Sequence, residues 1–351
     1  MRARELDEAL SRARGAISEP WRTMSYSGLL LEAEEQELVI TGAGEGGSII
    51  SRVTARVDEP GSVLLVPKPL SDWLRAVEGD ATIELRDADG HLIIDGDGAG
   101  YRFNTMVIAF EKMEGARGTA REARVSEMGA GLAAVRSSVG TNGLVQVVST
   151  DEDVAVRTTD YYRLCQAVVR GAGWGEFSGS MPLAMLEHVD WSLVERVRVD
   201  QRGRVVDFEG PRVRYSVHLS PVPFPNVDEQ LAKEPVERIE VGLSDLNAAL
   251  GRLRALADGN SITCSVADGR MRLEASSVLG RGVEDIEALG ASDGVRFSVI
   301  LDYLRASLHK RAGETVTIGW RAPMAPLMIL SSDPLPITTL VMPVHLADDG
   351  S

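Results

Sequence analysis

Residues 66–95 read VPKPLSDWLRAVEGDATIELRDADGHLIID, and this stretch decides the fold. Apolar residues spaced three and four apart through Val66–Val77 predict a helix. The alternating run that follows, broken at Asp89-Gly90, predicts a β-hairpin over Ala81–Asp95. The same helix-then-hairpin unit recurs as MPLAMLEHVDWSLV (Met181–Val194) with RVRVDQRGRVVDFEG (Arg196–Gly210). It recurs again as VILDYLRASL (Val299–Leu308) with TVTIGWRAPMAPLMIL (Thr315–Leu330).

Working outward, a second set of helices precedes each unit: Leu6–Ile17, Met128–Val139 and Leu243–Ala257. A period of about 118 residues serves both sets. Between the paired helices lie β-rich runs, GLLLEAEEQELVIT (28–41), LVQVVSTDEDVAVRTT (144–159) and SITCSVADGRMRLEAS (261–276). The expected class is therefore α+β, three repeated domains of antiparallel sheet with two helices each. Their boundaries fall in the polar stretches near Ala120 and Pro235, giving 1–120, 121–235 and 236–351. A sheet-rich unit with only two helices places both on one face. Three such units in a row form an arc, which closes into a ring when two chains meet head to tail.

The chain has 351 residues, too many for one ordinary core, and 44% of them are hydrophobic. No run approaches the roughly 18–20 uncharged apolar residues of a membrane helix, and the N-terminal run MRARELDEALSRARGAI lacks a secretory signal. With two cysteines, Cys165 and Cys264, outside any paired motif, a cytoplasmic location is expected. The formal charge of -15 excludes a surface that is basic overall but not a locally basic face. The helical segments hold such a surplus: Arg12, Arg14, Arg75, Arg136, Arg252, Arg254, Arg305, Lys310 and Arg311, to which Arg22 is added. Helices lining a hole would turn that surplus into a positive wall that holds phosphate by field and lets DNA slide. The bland alternative is a set of solvated arginines.

The repeat layout, TTDYYRLCQAVV (Thr158–Val169), FPNVDEQLAK (Phe224–Lys233) and VMPVHL (Val341–Leu346) together resemble the bacterial DNA polymerase III β subunit, the sliding-clamp family. Thr159, Asp160, Arg163, Leu164, Phe224, Pro225, Met342 and Pro343 match its motifs. The resemblance implies a head-to-tail homodimeric ring that encircles duplex DNA without sequence preference. It also implies loading by a clamp loader, and tethering of the replicative DNA polymerase through a peptide-binding cleft. Carried over, the cleft comprises Tyr161, Tyr162, Arg163, Leu164, Pro225, Met324, Pro326, Val341, Met342, Pro343 and Val344. The dimer contact comprises Phe103, Thr105, Met106 and Leu256. No catalytic residue, metal or cofactor is implied. Where the family usually has glycine-histidine, this chain has Tyr161 and Tyr162. Glu229, Gln230 and His345 stand where it has basic or apolar residues, and its frequent aromatic near Val299 is missing. These departures imply a bulkier and less basic cleft.

Other motifs have plain readings. Gly42, Gly44 and Gly47 have the G-x-G-x-x-G spacing, but the β-branched run SIISRVTARV follows, whereas a dinucleotide loop opens a helix. Asp151, Asp153 and Asp160 read as turn acids rather than a metal or acid-base cluster. His91, His188, His218, His309 and His345 show no ligand spacing. The reading from another class is a three-repeat β-rich adaptor or carbohydrate-type binding protein that does not encircle DNA.

Overall fold

The structure, a computed structural model, describes residues 1–17, 28–96, 98–257, 261–290, 294–308, 313–322, 324–332 and 335–345. The chain forms two compact units, one of Met1–Ser126 with Met181–Pro221, the other of Glu127–Ser180 with Val222–Ser351. Neither unit is a whole number of sequence repeats. Antiparallel pairing carries each sheet past the repeat boundary, so the middle repeat contributes strands to both units.

In the first unit an eight-stranded sheet runs in the order Gly61–Leu65, Leu29–Glu34, Glu37–Gly44, Gly47–Thr54, Val213–His218, Val205–Gly210, Arg196–Asp200 and Ala120–Glu122. The joint is the pairing of Val213–Val217 with Ser51–Gly47, between residues some 160 positions apart. Helix Ala3–Arg14 buries Ala3, Leu6, Ala9, Leu10 and Ala13, the stripe that a 3.6-residue period requires, against this sheet. A three-stranded sheet, Ile83–Ala88, His91–Gly96 and Ala99–Asn104, contains the hairpin read from the sequence. Its turn residues Asp89 and Gly90 both have positive φ, 50° and 76°, as a tight hairpin of the right twist demands.

The second unit is built on a twelve-stranded sheet. Its order is Phe177–Pro182, Leu144–Ser149, Val154–Thr159, Arg163–Val169, Ile337–Val341, Leu327–Ser331, Thr315–Trp320, Glu237–Gly242, Gly280–Leu289, Arg270–Ser277, Ser261–Ala267 and Val295–Ile300. Helix Leu243–Leu253 seals one face with Leu246, Ala249, Leu250 and Leu253, joined by Leu301 and Leu304 of helix Leu301–Ser307.

Five of the six expected helices form, shifted or shortened by a few residues: Ala3–Arg14, Pro67–Ala76, Met128–Val135, Leu243–Leu253 and Leu301–Ser307. The sixth, Met181–Val194, does not. Only Leu183–Leu186 is α-helical, and a 3-10 turn follows at Trp191–Leu193. Asp190 is the reason: its Oδ1 accepts the Ser192 amide at 3.2 Å and the Ser192 hydroxyl at 2.6 Å, a local bond that competes with helix propagation.

The glycine spacing is explained by packing. Gly44 and Gly47 close the hairpin of strands Glu37–Gly44 and Gly47–Thr54. A Cβ on Gly42 would stand 2.0 Å from the Ala13 carbonyl oxygen, where the helix end lies on the sheet, and one on Gly47 (φ 146°) would meet Ser216 O at 1.9 Å. Both close approaches are backbone to backbone, so no side chain can move aside. Gly42→Ala is accordingly expected to cost about 2–3 kcal/mol by overpacking. Urea denaturation measures this. An unchanged midpoint would contradict the close approach of helix and sheet.

Candidate functional site

The pairing of Arg163–Ala167 with Val341–Ile337 sets the site. It puts Leu164 opposite Leu340 and Gln166 opposite Thr338, while Met328 and Leu330 of the next strand face Leu340 and Thr338. Because successive strand residues point to opposite faces, Leu164, Leu340, Met328 and Leu330 share one face of the sheet. Cys165, Thr339, Val341 and Ile329 share the other. On the first face the connector Pro221–Lys233 lays down Phe224, Val227 and Leu231, and a separate apolar cluster results. This basin lies apart from the main core of the unit.

The rim of the basin is a tight loop, Thr159–Arg163. Asp160 organises it: Oδ1 accepts the amides of Tyr162 (3.0 Å) and Arg163 (2.7 Å), and Oδ2 accepts Arg163 Nε (3.0 Å) and a terminal guanidinium nitrogen (2.7 Å). The Arg163 carbonyl accepts Thr159 Oγ1 at 2.7 Å. Tyr162 O accepts the Met342 amide at 2.9 Å, extending the ladder into the C-terminal segment. The Arg163 guanidinium carbon stands 4.4 Å over the Tyr303 ring, and Tyr162 stacks on the same ring at 6.1 Å and 29°. Tyr303 belongs to helix Leu301–Ser307, so an aromatic is present at this rim, a few residues beyond Val299. Tyr161 and Tyr162 are exposed, as are Met324 and Met342.

Apart from the exposed Tyr161, the carried-over residues fall into three groups. Leu164 lies in the basin, with Tyr162, Arg163 and Met342 tied to its rim and Pro225 half-buried on the connector between Phe224 and Val227. Met324 and Pro326 lie in the turn before strand Leu327–Ser331, and Pro343 and Val344 follow the last strand, Val344 donating its amide to Ser298 O at 2.8 Å. Val341 is a correction: its side chain is fully buried in the main core, because strand alternation turns it away from the face that Leu340 presents. Sequence reasoning missed Leu340, Met328, Leu330, Val227, Leu231 and Tyr303. Period-two alternation counted back from Met342 would have found Leu340.

The residues expected to face DNA are mostly helix C-terminal. Arg12, Arg14, Arg75, Arg252 and Arg305 lie in last turns, and Arg136 and Arg254 in the 3-10 turns that end two helices. There a cation also offsets the negative end of the helix dipole. Arg12 pairs with Glu8 (3.4 Å), Arg75 with Asp72 (3.7 Å), Arg254 with Asp302 (3.5 Å) and Arg252 with both oxygens of Glu284 (2.8 and 2.7 Å). The hydrogen bond from Arg252 holds the Glu284 carboxyl below its usual range, and that from Lys68 does the same for Asp72. Arg22, Lys310 and Arg311 lie outside the described residues.

Of the interface residues, Phe103 packs at 6.5 Å edge-on to Trp73, Thr105 Oγ1 donates to Gly90 O at 2.7 Å, and the Met106 amide donates to Leu64 O at 2.6 Å. Leu256 packs over Gly280 and Gly282. Among the described residues no cluster of three or more His, Cys, Asp or Glu could hold a metal, and no helix is long and apolar enough to cross a membrane. Asp153 Oδ1 accepts the Gly171 amide at 2.9 Å and Asp160 is committed to Arg163, so both have structural work.

Tyr161 has φ 71°, a left-handed conformation that disfavours any residue but glycine. Tyr161→Gly is expected to raise stability by about 0.5–1 kcal/mol, the relieved strain less the entropy glycine adds to the unfolded chain. Chemical denaturation would read it, and a lowered midpoint would contradict the strain.

Comparison with known proteins places this geometry. Residues 2–115 match the family model described as DNA polymerase III beta subunit, N-terminal domain. The β subunit of DNA polymerase III from Thermotoga maritima superposes with a TM-score of 0.89 at 17% identity, covering 99% of each chain. The sliding clamp of Pseudomonas aeruginosa, solved with a ligand, gives 0.88 at 16%, again over 99% of each. A form of the Pseudomonas clamp bound to griselimycin gives 0.84 at 16%, over 99% of this chain and 98% of that one. The fold is that of the DNA polymerase III β sliding clamp, along the whole chain.

Proposed function

We propose that the chain is a DNA sliding clamp, a processivity factor without catalytic activity of its own. The observation that carries this reading is the clamp fold over 99% of the chain and of its structural neighbours, with the family model matching where the first repeat lies. In this reading the chain comprises three clamp domains, 1–120, 121–235 and 236–351. It works as a head-to-tail homodimer in the cytoplasm, is set on duplex DNA by a clamp loader, and holds the replicative polymerase through the basin at Leu164 and Leu340.

Two open strand edges support the dimer. Strand Ala99–Asn104 pairs with His91–Gly96 on one side and, among the described residues, with no strand on the other. Strand Gly280–Leu289 pairs along its length with Arg270–Ser277, but meets Glu237–Gly242 only at Ala288 and Leu289, leaving its first part open. Unpaired edges invite another strand. Beside the first edge stand the exposed Tyr101, Val107 and Ile108; beside the second stand Val278, Leu279 and Val283. Val107 and Val278 are nearly bare, at 97% and 96% exposure. Joining the two patches across copies removes both apolar clusters and both free edges from water. The arginines at helix ends, Arg12, Arg14, Arg75, Arg136, Arg252, Arg254 and Arg305, supply the positive field for phosphate in this reading. Ion pairs such as those of Arg12, Arg75, Arg252 and Arg254 temper that field, and a modest field permits sliding.

Mass by light scattering, combined with retention on circular and on linearised duplex DNA, tests the reading. A dimer held on circles and lost from linear DNA is the expected outcome; a monomer, or equal retention on both, would favour the adaptor. Leu279→Asp, at a site exposed in the monomer, is expected to weaken the dimer about 30-fold, equivalent to about 2 kcal/mol for a desolvated apolar anchor. Sedimentation at several concentrations reads it, and an unchanged dissociation constant would remove this strand tip from the interface.

A further inference from the structure

The ion pairs around the basin are lopsided in depth. Arg157 lies along the basin face, bonded to Gln166 Oε1 at 2.6 Å and to Asp228 Oδ1 at 2.7 Å. Its side chain is only 13% exposed, whereas that of Asp228 is 75% exposed. Arg163 is 12% exposed, with its guanidinium committed to Asp160 and to the Tyr303 ring. On the connector Lys233 pairs with Glu229 at 3.0 Å, and Glu229 is 83% exposed. Asp228 and Glu229 sit on the turn between Val227 and Leu231, two residues of the basin itself. The two arginines are thus withdrawn, Lys233 is paired though 39% exposed, and the most exposed charges beside the basin are the acidic Asp228 and Glu229. On the rim loop that precedes Leu164, one face of Tyr162 stacks on Tyr303 while the side chain remains open to solvent.

We infer that the occupant of the cleft is a short extended peptide with a basic side chain next to its aliphatic anchors, the anchors filling the basin and the base lying over Tyr162 within reach of Asp228 and Glu229. This rests on the clamp reading, which supplies the peptide, and adds its charge. An acidic or carboxylate-ended peptide meets cations that are already engaged: Arg163 would have to leave the mostly buried Asp160, and Arg157 its bonds to Gln166 and Asp228. A guanidinium instead meets an exposed aromatic face and two exposed carboxylates without breaking any pair.

The test uses three capped peptides with the same two leucine anchors, flanked by arginines, serines or glutamates, titrated by fluorescence anisotropy against the full-length protein. The arginine peptide is expected to bind about tenfold tighter than the serine peptide at low salt, and the glutamate peptide weakest, with the spread shrinking at high salt. Glu229→Arg is expected to cut the arginine advantage about threefold while leaving the serine peptide within twofold. Tyr162→Leu, which removes the π face, is expected to lower the ratio of arginine-peptide to serine-peptide affinity about threefold. Equal binding of all three peptides, or a glutamate peptide that binds as tightly as the arginine peptide, overturns the inference and leaves the clamp cleft standing. Failure of every peptide, including the serine one, overturns both.

Discussion

One antiparallel register, Arg163 to Ala167 against Val341 to Ile337, holds the second unit and its site together. It joins chain segments 174 residues apart, as the hydrogen bond from Thr339 Oγ1 to Cys165 Sγ at 3.3 Å marks. A slip by one residue would turn every side chain of the strand to the other face, exposing Val341 and burying polar Thr338 in the core. The fully buried Ile329, Val341 and Leu327 behind the sheet forbid that slip, so the core fixes which residues the opposite face can offer. The basin is therefore a by-product of core packing, and its position is as rigid as the core.

Carboxylates play a second, local role in both units. Asp160 shapes the Thr159–Arg163 loop by accepting four hydrogen bonds, and the loop in turn holds Tyr162 against Tyr303. Glu284 and Asp302 hold Arg252 and Arg254. In the first unit Asp207 is buried on the eight-stranded sheet, and its Oδ2 accepts the Ala116 amide at 2.9 Å. Burial pushes the Asp207 carboxyl above its usual value. A raised native value means that this group favours the folded state at low pH and that its contribution declines as pH rises through the native value. Four of the helix-end arginines, Arg12, Arg75, Arg252 and Arg254, are answered by carboxylates, in a chain whose net charge is -15.

The sequence made the strands and hairpins legible because period-two alternation and Asp-Gly punctuation are local signals: Ile83–Ala88 with His91–Gly96 and Ser261–Ala267 with Arg270–Ser277 form where the pattern puts them. The helix over Met181–Val194 was misread because its apolar spacing is helical while Asp190 and Ser192 bond locally instead. The residues around the basin were legible only through the motifs. Long-range register decides which face a strand residue takes, and with Leu340 and Val341 both apolar only alternation counted back from Met342 separates them. Tyr303 was hidden for a similar reason: an amphipathic helix shows which residues are polar, not which of them meets a loop 140 positions earlier.

The most direct measurement of the register's role compares Leu340→Ala with Val341→Ala, adjacent residues on opposite faces, by thermal unfolding and by binding of the arginine-flanked peptide. The register predicts that Val341→Ala lowers stability by about 2 kcal/mol with peptide affinity within twofold, because a buried core side chain is truncated. It predicts that Leu340→Ala weakens the peptide about tenfold or more with the smaller loss of stability. The reverse pattern, or equal effects of both substitutions on both properties, would contradict it.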